Sequence, residues 1–356
     1  MRKNRLEILL KKLKDFKLDA FLLSNPVNIN YLTYFDKETD GYLFVTPSKL
    51  IYFTFFVFWE EAKTNSLWQA KLVENKNIFE EVAKEAKKLK IKRVGFEAKF
   101  LRFAEYEKLK EELAKKDIEF IETFDLVEEA RMIKEKQEIN FIKKATSITL
   151  EAFAFLKEII QEGVSEKFLA REAEKFLKIK GDIKIAFPSI VAFGKNTSFP
   201  HHLPGEKKLE KEDIVLADLG AKYKGYCADL TRIIFWDKMP HHLKKIYDLV
   251  KKAKEESIRK IKPGKKAKEI DKVAREIIEK KGWGKFFGHG LGHGVGLEVH
   301  EKPFISPKSE DIIKENMVFT IEPAIYFPHK FGIRLESIVK VNSQGAEIID
   351  GETFYS

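Results

Sequence analysis

The sequence predicts an α/β chain of two domains, a small one over residues 1–126 and a larger one over residues 127–356. Three observations carry this. The chain has 356 residues, 44% of them hydrophobic, enough to fill two cores and too apolar for a disordered polymer. Short β-type runs alternate with helix-period segments through the first third, the pattern of an α/β layer. The remainder repeats one order of elements: helix, helix, strand, hairpin.

The elements follow along the chain. Leu6, Leu9, Leu10, Leu13 and Phe16 recur at helical spacing. The apolar run Ala20 to Leu23 reads as a strand, and Tyr42 to Thr46 with Leu50 to Phe55 as a strand pair across Pro47-Ser48. Helix, strand (Arg93 to Phe96), helix and strand (Ile118 to Ile121) complete the first domain. In the second, helices at about 134–161 and 166–178 precede a strand around 183–193 and a hairpin at about 214–235. After Pro240 the order recurs: helices at about 242–260 and 267–281 around Pro263-Gly264, a glycine-rich strand at 286–299, then a hairpin at 317–341. The halves share no residue pattern, so the pseudo-twofold relation rests on element order alone.

Bulk properties narrow the partners. There are 66 Lys and Arg against 56 Asp and Glu, a net charge of +10, which admits a nucleic-acid binder. However, the lysines interleave with glutamates, as at Glu80 to Lys90 and Glu105 to Lys116. That is the pattern of solvated helix faces carrying i,i+4 pairs, so no nucleic-acid partner is expected. The longest strongly apolar stretch, Ile51 to Trp59, is far short of the roughly 20 residues of a membrane span, so no membrane partner is expected. The charged N-terminus lacks the apolar region of a signal peptide, and the single cysteine, Cys227, excludes an internal disulfide. A cytoplasmic protein is expected.

Acidic residues inside apolar strands carry the chemistry. Asp218 and Asp229 lie in the run 214–229, and folding it about Tyr223-Lys224 sets them opposite each other on one sheet face. Folding 318–338 about His329 sets Glu322 opposite Glu336. One such acid is readily explained as a cap or an ion-pair partner. Two facing pairs in mirrored hairpins are not, because close buried carboxylates repel and lose hydration. A cation removes both penalties. Three histidines, His289, His293 and His300, lie in a run with glycine at 288, 290, 292, 294 and 296. This disfavours a helix, and Gly290 stands where a helical zinc motif needs glutamate. Nor does the run fit a dinucleotide loop, since Val295 occupies a required glycine position. Four carboxylates and an imidazole suit Mn²⁺, Co²⁺, Fe²⁺ or Zn²⁺. Bridging carboxylates can hold two such ions about 3.5–4 Å apart, which activates water as hydroxide for hydrolysis without a covalent enzyme intermediate.

The set Asp218, Asp229, His293, Glu322 and Glu336, in this order, resembles the five ligands of the pita-bread metallopeptidases, the family of methionine aminopeptidase, aminopeptidase P and prolidase. The runs Asp229-Leu-Thr-Arg232, His293-Gly-Val-Gly-Leu-Glu-Val-His-Glu301, Thr320-Ile-Glu-Pro323 and Arg334-Leu-Glu336 match as well. The resemblance covers about residues 131–345 and implies a pita-bread domain with pseudo-twofold halves. Asp218 would bind one ion with both oxygens, His293 and Glu322 the other, and Asp229 and Glu336 would bridge. Glu322 would also carry a proton to the leaving imino nitrogen. His300 would hydrogen-bond the substrate carbonyl or the tetrahedral intermediate. His201 resembles a family histidine near the scissile bond, with His202 supporting it, and His289 and Arg334 would line the proline side.

The segment Asn25-Pro-Val-Asn-Ile-Asn-Tyr-Leu-Thr33 is similar to the leading segment of creatinase, prolidase and aminopeptidase P. A creatinase-like N-terminal domain is therefore implied, which methionine aminopeptidases lack. Creatinase has the fold without the ligands. The expectation is an Xaa-Pro dipeptidase with two divalent ions, Mn²⁺ or Co²⁺ first and Zn²⁺ or Fe²⁺ next, acting on proline-containing peptides as a homodimer. The alternatives are an aminopeptidase P and a non-catalytic binding protein on the same fold. Two departures stand out. Thr54-Phe55-Phe56-Val57-Phe58 replaces a charged Thr-Asp-x-Arg-Tyr run, and Phe304 follows Pro303 where relatives often carry arginine.

Overall fold

In a computed structural model the chain divides into two compact units, Met1–Arg131 and Met132–Ser356, described over residues 2–35, 40–74, 77–182, 184–236 and 238–351. The division falls after Arg131 rather than at 126/127, because the short helix over Glu128–Arg131 belongs to the first unit. There Arg131 Nη1 donates to Asn28 at 2.9 Å.

The first unit is a mixed six-stranded sheet: β1 (Ala20–Leu23), β2 (Tyr42–Val45), β3 (Leu50–Thr54), β4 (Gln69–Leu72), β5 (Arg93–Glu97) and β6 (Glu119–Thr123) in the order β4-β3-β2-β1-β5-β6. β1 pairs antiparallel with β2 and parallel with β5. Its fully buried residues are those of a central strand, which reads as a continuous apolar run. Helix α1 (Arg2–Asp15) is as expected, and α2 (Pro26–Thr33) starts where Asn25 caps Val27 and proline takes the first turn. Buried Glu97, at the end of β5, accepts from the backbone N–H groups of Ser24 and Asn25 and from Asn28 Nδ2 at 2.6–2.8 Å, fixing the start of α2. Of the apolar stretch singled out above, Phe53 is buried while Phe56 and Val57 are about four-fifths exposed.

The second unit carries two helix pairs. Following the short helix α3 (Trp59–Lys63) and the layer helices α4 (Ile78–Lys88), α5 (Phe103–Ala114) and α6 (Glu128–Arg131) of the first unit, these are α7 (Lys136–Ile159) with α8 (Glu166–Lys180), and α9 (His241–Lys260) with α10 (Ala267–Glu279). α7 buries Ile139, Ile142, Ala145, Ile148, Ala152, Phe153 and Leu156 at three- and four-residue spacing. Its partner α8 starts at Ser165, whose side chain accepts from Phe168 N.

The strands that follow are β7 (Ile190–Phe193), β8 (Ile214–Leu219), β9 (Lys222–Tyr223), β10 (Tyr226–Cys227), β11 (Leu230–Phe235), β12 (Gly292–Gly294), β13 (Glu301–Ile305), β14 (Val318–Ile321), β15 (Ala324–Phe327), β16 (Phe331–Arg334), β17 (Ser337–Val341) and β18 (Ala346–Ile348). They form sheets β11-β8-β7 and β13-β12-β14-β17-β18 with hairpins β9/β10 and β15/β16. The order helix, helix, strand, hairpin thus occurs twice.

Three expectations are corrected in extent. The strand around 183–193 is confined to 190–193, and Ile183 lies outside the described residues. The glycine-rich strand at 286–299 shrinks to 292–294, where Gly292 and Gly294 pack closely against neighbouring backbone. A Cβ on Gly292 would lie 2.0 Å from the Thr320 carbonyl oxygen, and one on Gly294 2.2 Å from that of Lys302. The hairpin at 317–341 is two ladders in one register, β14/β17 and β15/β16, broken at Glu322-Pro323 and Leu335-Glu336.

Candidate metal centre

Register decides which acids meet. In the second hairpin Ile321 faces Ser337 and Ala324 faces Arg334. The same count sets Glu322 across from Glu336 at the break, and His329 sits at the turn with φ 60°. In the first hairpin the pairing differs from the expected one. Leu219 faces Leu230 and Asp218 faces Thr231, because the turn is Lys224-Gly225, both at positive φ, and not Tyr223-Lys224. Asp229 is therefore diagonal to Asp218. It still points to the same face, since two residues along a strand restore the side.

The four carboxylates and His293 converge at the floor of a cavity of about 790 Å³ in the second unit. Donor atoms of Asp218, Asp229 and Glu336 lie within 4.8 Å of one another, as do those of His293, Glu322 and Glu336. A third group at the same spacing is Asp229, His293 and His300. Asp229, Glu336 and His293 each belong to two groups, so two cations could share ligands there. His300, not counted among the ligands from sequence, is thereby brought to the donor cluster, its ring centroid 4.0 Å from that of His293.

Without a cation the cluster is electrostatically frustrated. Burial pushes Asp218 up, against the Arg334 charge. Burial and the neighbouring Glu336, Asp218 and Glu322 push Asp229 well above the carboxylate range. Burial, Glu322 and Asp218 push Glu336 up to about 8. Glu322 goes the other way: burial raises it, but the hydrogen bond and charge of His293 outweigh that and hold it low. His293, pulled down by burial, is raised by the same partner. Its Nε2 stands 3.3 Å from Glu322 Oε1 and 3.5 Å from Asp229 Oδ2. Buried Asp218 Oδ1 and Glu336 Oε1 accept no hydrogen bond. Two orphaned acceptor oxygens facing other acids and an imidazole fit divalent cations, which suit this oxygen-rich set.

The protein fixes these ligands from behind. Arg334 Nη2 donates to Asp218 Oδ2 at 2.6 Å, Nε to Thr231 Oγ1 at 2.8 Å, and Nη1 to the Tyr326 hydroxyl at 2.6 Å and the Pro200 carbonyl at 3.2 Å. The guanidinium borders the cavity, but its donors are engaged within the protein. Thr231 Oγ1 in turn donates to Glu336 Oε2 at 2.9 Å. Arg232 Nη1 holds the Glu336 carbonyl at 2.6 Å, and its Nη2 pairs with buried Asp350 at 2.6 Å. Thr320 Oγ1 accepts from His293 N at 3.1 Å. Sequence reasoning singled out neither Thr231 nor Tyr326 nor Asp350. Only the run from Asp229 to Arg232 hinted at the first.

The remaining histidines border the cavity. His289 is half-buried, and burial holds its pKa down. Its Nδ1 lies 2.7 Å from the Gly290 carbonyl. His300 is open to the cavity yet surrounded by protein, and this partial burial with His293 lowers it to about 4, so it is neutral at physiological pH. His201 is exposed on the cavity wall, beside Leu203, which is 82% exposed. His202 also lines the cavity and meets Glu166, with Nε2 to Oε2 at 2.8 Å. Phe304, about half exposed, also lines the cavity. Among the described residues, no helix is long and apolar enough to cross a membrane.

Residues 140–343 match the metallopeptidase family M24, and residues 5–133 match the creatinase/prolidase N-terminal domain. The Xaa-Pro dipeptidase of Pyrococcus furiosus is 36% identical over 345 residues, 97% of either chain. A solved Xaa-Pro dipeptidase from Bacillus anthracis has a TM-score of 0.93 at 35% identity, covering 99% of this chain and 98% of that one. An X-Pro aminopeptidase from Thermotoga maritima follows at 0.85 and 34%, covering 94% and 96%. Ligand cluster, fold and both matched segments agree: the chain belongs to metallopeptidase family M24, with a creatinase-type N-terminal domain ahead of a pita-bread domain.

Proposed function

We propose that the protein is a dinuclear-metal exopeptidase that hydrolyses Xaa-Pro bonds, with Xaa-Pro dipeptides among its substrates. The observation that carries the reading is the set of three donor groups sharing Asp229, His293 and Glu336 at the floor of one open cavity. A non-catalytic binding role would leave the cost of those buried acids unexplained. The proline preference is supported by full-length relatives described as Xaa-Pro dipeptidases.

In this reading Asp218 would serve one ion, His293 and Glu322 the other, and Asp229 and Glu336 would be shared. Mn²⁺ or Co²⁺, with Zn²⁺ or Fe²⁺ as alternatives, would supply Lewis acidity and lower the pKa of water there. The chain's own groups do the rest. Glu322 is the least buried of the four acids and is ionised through His293. It takes the proton of the attacking water and delivers it to the proline nitrogen as that nitrogen departs. Neutral His300 donates one hydrogen bond where the carbonyl oxygen gains charge. His201 approaches from the wall. Arg334, engaged with Asp218, holds that ligand in its orientation, and His289 lines the proline side.

A second reading, an aminopeptidase P that accepts longer peptides, is favoured by the volume of the cavity and by Phe304, which offers no cation to a substrate carboxylate. One comparison tests both: the specificity constants of the metal-loaded protein for Ala-Pro, Ala-Pro-Ala and Ala-Ala. Cleavage of both proline peptides is expected. Equal cleavage of Ala-Ala and Ala-Pro refutes the proline assignment, and an untouched Ala-Pro-Ala refutes the loosening effect of Phe304. The protein is further read as a cytoplasmic homodimer. Light scattering should give twice the 41.4 kDa chain mass, and a monomer at micromolar concentration refutes the dimer.

A further inference from the structure

We propose that Glu166 is the positioning residue for His201. It pins both ends of the segment that presents His201 to the cavity and acts on cleavage through that histidine alone. The inference rests on the reading of His201 as a residue of the cleavage site.

Glu166 opens α8 and is fully buried. Its Oε1 accepts from Phe193 N and Asn196 Nδ2, both at 2.8 Å. Its Oε2 accepts from Gly205 N at 3.0 Å and lies 2.8 Å from His202 Nε2. The four groups come from either side of residues 197–201. The start of α8 adds backbone bonds to the far side of the segment, from Glu166 N to Lys207 O at 3.2 Å and from Lys167 N to Gly205 O at 3.0 Å. Between these anchors the segment meets the site twice. Thr197 Oγ1 accepts from Gly332 N at 2.8 Å, and the Pro200 carbonyl accepts from Arg334 at 3.2 Å. His201 follows Pro200 directly, at the cavity wall.

The arrangement asks for a carboxylate. Oε1 accepts from two N–H groups and Oε2 from one, with the His202 ring nitrogen as fourth neighbour, a pattern that suits a carboxylate. Glutamine would turn an NH₂ toward two of those donors and leave them unpaired. Glu166 does not itself line the cavity and contacts none of the five ligands; it meets the lining at His202. Its effect on cleavage must therefore travel through the segment. His202 contributes a side-chain contact to that hub, one residue from His201; both histidines line the cavity, and His202 is the one tied to Glu166.

The spectral test uses the full chain loaded with diamagnetic Zn²⁺ and labelled with ¹⁵N-histidine; it has eight histidines, and His201→Ala assigns the His201 signals. Glu166→Gln is expected to move the ring signals of His201 and His202 and to leave those of His293 and His300 in place. A spectrum in which only His202 moves overturns the proposal, whether or not the protein cleaves Xaa-Pro bonds. On Ala-Pro, Glu166→Gln should lower kcat/KM by about 100-fold, the scale of a catalytic group displaced by an ångström. On the His201→Ala background the same change should cost less than about threefold, the non-additivity of two residues acting as one. Losses that multiply overturn the proposal. A wild-type protein inert toward Ala-Pro refutes the Xaa-Pro reading and leaves the spectral test to decide this one. Should Glu166→Gln fail to fold, His202→Leu removes one of the four contacts and should shift His201 in the same direction. His202→Gln, which restores an N–H donor of similar reach, should return the signal and the rate. No shift in His202→Leu, or no rescue in His202→Gln, again overturns it.

Discussion

Replacing Glu336 by glutamine should stabilise the metal-free protein at neutral and alkaline pH while abolishing turnover. The folded protein holds the Glu336 proton up to about pH 8, against an ordinary value of 4.5. Between these values the unfolded chain binds fewer protons than the folded one, so stability falls as pH rises. At about 1.4 kcal/mol per pH unit the loss is about 3 kcal/mol at pH 7 and about 4 kcal/mol at pH 8, where the folded group is half ionised. That is an upper limit, because Asp229 and Asp218 share the repulsion and relax when Glu336 is neutralised. Glutamine never ionises, and its carbonyl can still accept from Thr231 Oγ1, which stands 2.9 Å from Glu336 Oε2. Its NH₂ would face acids in place of the unpaired Oε1. The measurement is hydrogen exchange of the Ser337–Val341 amides in chelated protein at pH 5, 7 and 8, corrected for intrinsic rates. Wild type should lose stability across this range, and Glu336→Gln should stay flatter and exceed it by more than about 1 kcal/mol at pH 8. Parallel pH curves, or a variant less stable than wild type at pH 8, would refute the reasoning.

Asp229→Asn should reduce kcat by at least about 100-fold and lower metal stoichiometry, since an amide cannot hold two cations; retention of more than half the activity would exclude a bridging role. Elemental analysis of saturated protein should find two divalent ions per chain, and chelation should abolish activity. Full activity in chelator with no metal bound contradicts the mechanism. In the first unit, burial pushes Glu97 up to about 7. Its raised acid therefore costs stability as pH climbs from about 4.5 through 7, by about 3 kcal/mol in all. The amides of residues 27–33 should lose protection across that window in wild type. If Glu97→Gln shows the same pH dependence, Glu97 is not the cause.

Much of this was legible because the site depends on strand register, and register leaves traces in sequence. Glu322 and Glu336 were paired correctly because the turn is centred on His329, and the count to either side survives the break at Glu322-Pro323. The first hairpin was misread by one position on either side. Lys224-Gly225 is the stronger two-residue turn signal, since glycine readily takes the left-handed conformation that both positions need. The acids still reached one face, because the error moved each partner by an even number in total. β4 is hard to read from sequence because Gln-Ala-Lys-Leu, though alternating, is only four residues long, has no β-branched or aromatic residue, and is an edge strand held by its neighbour. The supports behind the ligands were hidden for another reason: Thr231, Tyr326 and Asp350 are ordinary residues until the fold brings them against Glu336, Arg334 and Arg232. Long-range hydrogen bonds have no periodicity to read.

The close packing of Gly292 and Gly294 also bears on how this gene can drift. Every amino acid other than glycine carries a Cβ, so every missense change at either codon drives that atom into a carbonyl oxygen, of Thr320 or of Lys302. Backbone cannot swing aside as a side chain does, so such alleles should be lost however conservative the replacement. Gly288 stands in the same run with open space around its would-be Cβ, and its codon should vary freely. In a saturation library the evenly spaced glycines would separate into tolerant and lethal positions, a difference their spacing does not announce.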